Sequence, residues 1–434
     1  MNQRNQSQRL LPFIIITLAA TFYIYEFALR VMPSAMTNEL MNHFAIEASG
    51  LGMMSALFFY GYAPMQIPAG LLIDRLGPRI LLTGSVLICS LGAYIFGVTH
   101  HFTVAAIGRV MMGVGASFAY IGCLVLASRW FAAKYFALIA GLVQFLGCIG
   151  AIAGAAPIAV IVARFGWQQT QITSAYLGIF LSLLFWLVLR DSPKEKINCA
   201  RSHHTLHSNS TEMQRLLEVL RNPQTWAIGL YGFCCWAPIS ILAELWGISF
   251  FSTAYPISRA NAAFAIAFVW IGIAIFSPII GWWSNRINSR RIPLISSGVV
   301  ATLTSIAIIY VDTIGWPVMC ILLILFGAAA GAMSVTFGMV QDNMPPAVAG
   351  TAVGFNNMAI IGGGVVFQPL VGLLLDVQWN GKLVDNLPLY TVQNYRYALI
   401  IIPILGVMSI LTALFVLKET HCTTQYPLHD NNEH

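Results

Sequence analysis

Apolar residues run along this chain in blocks of about twenty, the length that crosses the hydrocarbon of a bilayer, with short polar segments between them. Windows of about nineteen residues place spans near 11–32, 52–72, 80–98, 104–128, 137–162 and 173–189, and then near 226–251, 260–283, 292–311, 316–340, 348–375 and 397–417. Between the two sets, Arg190 to Arg221 is polar, charged and rich in His and Ser. The pattern predicts an all-α membrane protein of twelve transmembrane helices in two six-helix halves, 1–189 and 226–434, joined by a linker over 190–225. The first ten residues resemble the positive start of a signal peptide, but the apolar run behind them is longer than a signal core and leads into further spans. It is expected to stay as the first helix.

Composition agrees with the pattern. Of 434 residues 58% are hydrophobic and 9% charged, against about 25% charged in soluble domains. The net charge of +6 does not point to nucleic acid, because the basic residues sit between apolar blocks and not along one face. They follow topology instead. The chain ends, the linker and the loops after spans 2, 4 and 8 hold most of them, whereas the opposite side has Arg164, Arg259, Lys382 and Arg396. Both termini are therefore expected in the cytoplasm, with the spans in a cell inner membrane. The eight cysteines show no Cys-x-x-Cys pair, and most lie within apolar blocks as small fillers. His203-His204-x-x-His207 lies in the polar linker without a Cys or carboxylate at ligand spacing, so no metal or cofactor is expected.

The segment Gly70-Leu-Leu-Ile-Asp74-Arg75-Leu-Gly77-Pro78-Arg79 closes the second span. It resembles the signature loop of the major facilitator superfamily, G-x-x-x-D-R-x-G-R-R/K, departing from it at Pro78. The resemblance implies a gating latch in which Asp74 pairs with an arginine at the end of the fourth span, here matched by Arg129. Physically, Gly70 lets two helices approach, and Asp74 can accept hydrogen bonds from an arginine or a helix N-terminus. A second copy, offset by 211 residues, reads Gly281-Trp-Trp-Ser-Asn285-Arg286-Ile-Asn-Ser-Arg290, with Asn285 in place of the acid. Gly141-Leu-Val-Gln144 likewise echoes Gly354-Phe-Asn-Asn357, as expected of two homologous halves around one cavity.

Charges inside the spans are the candidates for chemistry. Glu26 and Arg30 stand four residues apart on one face of the first span, acid first, the favourable order for a helical pair. Arg109, in Arg109-x-x-x-Gly113-x-Gly115, resembles the family's second motif, which implies an arginine facing the cavity. Burying it costs about 2.5–3.5 kcal/mol on insertion scales, so a carboxylate partner is expected, Glu26 being one candidate. Glu244 has no basic neighbour one turn away, and an unpaired carboxylate in an apolar span is costly when ionised, which makes it a candidate proton carrier. Gln144, Asn356, Asn357 and Gln368 add amides to the candidate site.

These residues suggest a monomeric secondary transporter that imports a small polar nutrient by alternating access and proton symport. An amino acid is the first expectation, since a zwitterion needs both signs of charge. The stretches YIYEFALRVMPSAMTNELM and AELWGISFF resemble the phagosomal nutrient transporters of intracellular bacteria, which implies uptake of amino acids or nucleosides. The alternative is a proton-coupled exporter of a siderophore, drug or metabolite. Against it, the fifth-span glycines lack the Gly-Pro core of the family's antiporter signature and form a helix-packing surface. The linker is too short to fold into a receptor's output domain. No nucleotide-binding glycine loop or nucleophile elbow suggests an enzyme.

Overall fold

The computed structural model describes residues 2–132, 135–191, 212–312, 314–345, 348–384 and 387–426. Among the described residues eleven helices are long and apolar enough to cross a membrane, and Ala48–Leu76 supplies a twelfth span, preceded by the short helix Thr37–Phe44, which meets it at a bend of 107°. In lipid the backbone must satisfy its own polar groups, and a helix does so within one segment. The spans expected from hydropathy are all present, with ends shifted by a few residues. The second, for example, runs over Ala48–Leu76, the seventh begins at Pro223 and the eleventh is Ala349–Val377. Of the expected linker, 192–211 lies outside the described residues, including His203, His204 and His207, and 212–221 is a short helix.

Hydropathy does not reveal three local features. The short helix Thr37–Phe44 lies between the first two spans, residues Leu242–Trp246 of the seventh span form a π-helical turn, and Leu383–Val384 pairs with Leu387–Pro388 as a small antiparallel hairpin. We call the face where the chain begins, and where the tail after the twelfth span returns, the near face. The Thr37 helix and the hairpin lie on the far face.

Packing repeats between the first six and the last six spans. The first touches the fifth as the seventh touches the eleventh, the third touches the sixth as the ninth touches the twelfth, and the second touches the fourth as the eighth touches the tenth. The last pairing rests on backbone-to-backbone approach, since a Cβ at Gly113 would meet Phe58 and one at Gly327 would meet Val269. The fourth span breaks after Ala116 and the tenth after Ala330, at matching places in the repeat. Between the two sets, the second span packs along the eleventh and the fifth along the eighth.

Candidate functional site

A cavity of about 310 Å³ lies between the two sets of spans. Tyr23, Arg30, Tyr62 and Gln144 line one side of it, and Trp236 and Asn357 the other. Arg30 reaches this wall from the far third of the first span, where the helical spacing predicted from sequence sets it against Glu26. Its Nη2 donates to both Glu26 oxygens at 3.1 Å. The guanidinium lies 4.3 Å from the centre of the Phe27 ring and 4.8 Å from that of Tyr62, so aromatic faces and a carboxylate together fix its plane. Its Nε is buried with no hydrogen-bond partner among the described residues.

Glu244 sits on the π turn of the seventh span and is fully buried. The Ser240 hydroxyl donates to its Oε2, while its Oε1 and the nearby indole Nε1 of Trp236 have no partner among the described residues. Arg30 lies within electrostatic reach of Glu244, and Glu244 within reach of Glu26. Two buried carboxylates, supplied from opposite sides of the interface, thus lie near one guanidinium, Glu26 bonded to it and Glu244 within electrostatic reach.

Arg109 corrects an expectation. It is 1% exposed and does not line the cavity. Instead of a carboxylate it meets three main-chain carbonyls, those of Leu29 at 3.2 Å, Ser55 at 3.3 Å and Met54 at 3.4 Å. It ties the first, second and fourth spans together, and Glu26 is left to Arg30. Two of the four amides are also drawn into packing. Asn356 donates to Thr336 at 3.0 Å and Gln368 to the Ser240 carbonyl at 2.9 Å, both away from the cavity wall. The other two reach the wall: Gln144 accepts from Tyr23 at 3.1 Å, and Asn357 donates to Gln66 at 2.7 Å, across the interface. Tyr62, Tyr120 and Trp236 line the cavity as well. Sequence reasoning passed over them because an aromatic residue in an apolar span reads as core.

On the near face, Asp74 and Gly70 lie outside the residues whose side chains are described, and with them the expected pairing to Arg129, which stands in the last turn of the fourth span. Arg75 and Arg286 are exposed. The Arg79 backbone N–H donates to Asp191 at 2.8 Å and its guanidinium to the Trp186 carbonyl, so an acid after the sixth span caps the third. The second copy does the same with Glu419, which accepts from the Ser289 hydroxyl at 2.6 Å and from the N–H groups of Arg290 and Arg291 at 2.8 and 3.0 Å. Partial burial alone would raise the Glu419 carboxyl, but these hydrogen bonds outweigh it and hold the group down at about 2. Arg290 itself donates to Asp342 and to Asn285, each at 2.9 Å. In this copy the acid stands on the tenth span and the base on the loop.

The far face is closed by bonds between the two sets of spans. Asp376, in the last turn of the eleventh span, accepts from the free N–H groups of Ala48 at 3.1 Å and Ser49 at 2.8 Å, where the second span begins, and from the Tyr390 hydroxyl. A carboxylate at a helix N-terminus satisfies orphan donors and opposes the helix dipole. The approach is close because a Cβ at Gly372 would meet the Ala48 carbonyl. Thr37 shares a hydrogen bond with Ser249 at 3.0 Å and accepts one from Arg259 at 2.6 Å. Neither Asp376 nor Arg259 was singled out from sequence. Among the described residues no three His, Cys, Asp or Glu side chains cluster as a metal site.

The family model described as Major Facilitator Superfamily matches residues 15–367 and 245–428. A probable anion transporter 4, chloroplastic, of Oryza sativa subsp. japonica is 22% identical over 84% of this chain and 64% of its own length. The chloroplastic ascorbate transporter of Arabidopsis thaliana is 21% identical over 84% of this chain and 70% of its own. A probable L-galactonate transporter of Escherichia coli K12 is 24% identical over 63% of this chain and 62% of its own. The match therefore spans less than two thirds of the rice and Escherichia coli proteins. Among solved structures, a bacterial homolog of the human lysosomal transporter Spinster superposes with a TM-score of 0.71 at 14% identity, covering 93% of this chain and 97% of that one. The nucleoside transporter NupG gives 0.70 at 13% identity, covering 92% and 98%.

Proposed function

We infer, from the premise that this chain belongs to the Major Facilitator Superfamily, that it carries a small organic anion across a membrane by alternating access, its halves 1–189 and 226–434 moving about the central cavity. One observation carries the reading: Arg30, whose Nε has no hydrogen-bond partner among the described residues, stands at the wall of a cavity of about 310 Å³. That volume suits a small ligand. A guanidinium takes a carboxylate through paired, charge-assisted hydrogen bonds, and Glu26 and the aromatic rings have already oriented it. Gln144 and Asn357 offer amides to the ligand's hydroxyl groups. Among the described residues the wall carries no carboxylate. An amino acid would leave its ammonium without a partner there, so the anion replaces the zwitterion expected from sequence. The names of the relatives, transporters of anions, ascorbate and L-galactonate, support the same class.

Proton symport into the cytoplasm is the coupling we propose, with Glu244 as the group that takes the proton. Ionised, it would be a buried carboxylate held by one hydroxyl, in competition with Glu26 for one arginine, whereas a proton removes both costs. The test is uptake into proteoliposomes holding the full chain, with and without a pH gradient, using labelled L-galactonate, ascorbate, amino acids and nucleosides. Sugar-acid uptake is expected to dominate and to fall at least about a hundredfold in Arg30→Gln, the loss of two charge-assisted bonds. Preference for neutral nucleosides, with Arg30→Gln indifferent, would overturn the reading. In Glu244→Gln, accumulation driven by a pH gradient should disappear while exchange of bound for free substrate persists, because exchange moves no net proton. If accumulation survives, Glu244 is not the coupling group and Glu26 is tested next.

A further inference from the structure

The far face holds a second space, of about 230 Å³, where the Thr37 helix meets the seventh and eighth spans under the hairpin. Thr37, Asn38, Ser249, Ser252, Arg259 and Tyr390 supply most of its polar lining. Arg259 opens the eighth span, and the neutral hydroxyl of Thr37 accepts from its Nη2. Among the described residues no carboxylate lies within ion-pair distance of it. Glu39 is within electrostatic reach, yet its Oε2 is buried and bonds to no described residue. The guanidinium is thus held across the interface by a weak acceptor, in a pocket rich in hydroxyl groups.

We propose that this pocket is an outer binding station for small hydroxylated carboxylates, in which the ligand takes Arg259 away from Thr37. The proposal rests on the anion reading above and adds a site to it. A carboxylate offers a guanidinium two charge-assisted bonds, against one neutral bond from a threonine, so it displaces the hydroxyl. Asn38, Ser249 and Ser252 surround the ligand with donors and acceptors for its hydroxyls. The displaced bond is one of those that close the far face, so arrival of the anion loosens the closure that keeps it from the central cavity. Recognition and opening become one event. Thr37 keeps Ser249 as its partner when Arg259 leaves, so its own hydroxyl is not stranded.

Calorimetry on the purified full chain in an uncharged detergent, with L-galactonate and ascorbate as separate probes, tests the station. Arg30→Gln removes the central guanidinium, and the binding that remains is expected to report the outer pocket. Adding Arg259→Gln should weaken it at least about tenfold, the worth of a charge-assisted bond, and adding Thr37→Val should tighten it about fivefold by removing the competing acceptor. Tightening is the signature a merely structural Thr37 would not give. If Arg259→Gln does not fold, Arg259→Lys, which keeps the charge and loses the fork, should weaken binding in its place. The station is overturned if Thr37→Val fails to tighten binding, if the Arg259 variants bind as the parent does, or if the pocket answers to phosphatidylglycerol and not to the free probes. Wild-type protein that binds and transports the probes while Arg259 variants change nothing would sink the station and leave the transport reading standing. No binding of either probe to the wild type would sink both.

Discussion

The two ends of the cavity are framed by the same antiparallel helices, the second and eleventh spans, but they are held differently. At the far end Asp376 grips the first turn of the second span through two backbone N–H groups, with Thr37, Ser249 and Arg259 adding side-chain bonds. Toward the near end, the crossing bond among the described residues of this pair is Gln66 with Asn357, an amide pair well inside both helices. A carboxylate on a helix N-terminus needs no basic partner and no ordered long side chain, so it forms and breaks at low entropic cost. By position Asp74 is its counterpart, standing in the last turn of the second span as Asp376 stands in the last turn of the eleventh. The comparison teaches that one helix pair is placed to carry both closures: Asp376 caps the start of the second span, and we propose that Asp74 acts on the start of the eleventh in the same way.

Removing the far acid should have the largest effect. Asp376→Ala deletes a charged cap worth about 1–2 kcal/mol, enough to move an open-to-closed ratio about tenfold. Labelling of a Ser249→Cys variant by a membrane-impermeant maleimide, added on the far side, should quicken by that factor. Unchanged labelling would mean that the cap does not hold the closure. Asp74→Asn comes next and breaks the comparison from the other end. Turnover should fall severalfold while the dissociation constant for substrate stays within about twofold, since a latch alters the cycle and not the site. A normal transport rate would remove Asp74 from the gate.

The smallest effect serves as the control. Glu419 caps a helix start in the same chemical way as Asp376, but within one set of spans. Glu419→Gln should lower the melting temperature by a few degrees, on the order of 2–4 °C for a loss near 1 kcal/mol, and leave far-side labelling untouched. The pH dependence has a definite sign. The carboxyl is held at about 2 when folded, below its usual value near 4.3. Its stabilisation is therefore complete above about 4.3 and is lost as the pH falls from there through about 2. A wild-type melting curve that dropped between pH 7 and 6 because of this residue would contradict the assignment.

Much of this architecture was legible in the sequence, for reasons particular residues make plain. The spans were readable because lipid demands twenty apolar residues at a time, and Glu26 with Arg30 because helix spacing is local. Gln144 and Asn357 were readable from the internal repeat, and both line the cavity. The partners of Arg109 were not legible. Carbonyl oxygens occur at every residue, so no side-chain pattern marks Leu29, Met54 and Ser55 as acceptors, and the sequence suggests a carboxylate in their place. Asp376 and Arg259 escaped for a related reason. Their importance depends on which helix start lies opposite, a fact of tertiary packing. The signal that could have found Asp376 is its placement, an acid in the last turn of the span that runs antiparallel to the Asp74 helix.

The wide turn at Leu242–Trp246 stores one residue of slack in the seventh span. A π turn holds about one residue more than an α turn, and each residue of an α-helix advances the next by about 100°. Deleting a single residue there, Ala243 for instance, would let the helix close in regular register and would barely shorten it. Because the wide turn already absorbs that residue, everything beyond would keep nearly its present angle, with Trp246 still at the Gln368 carbonyl and Ser249 still at Thr37. The wide turn is thus the place in this span where a one-residue deletion is absorbed, whereas in the regular helix on either side the same deletion would swing all that follows by about 100° and present different side chains to the first six spans.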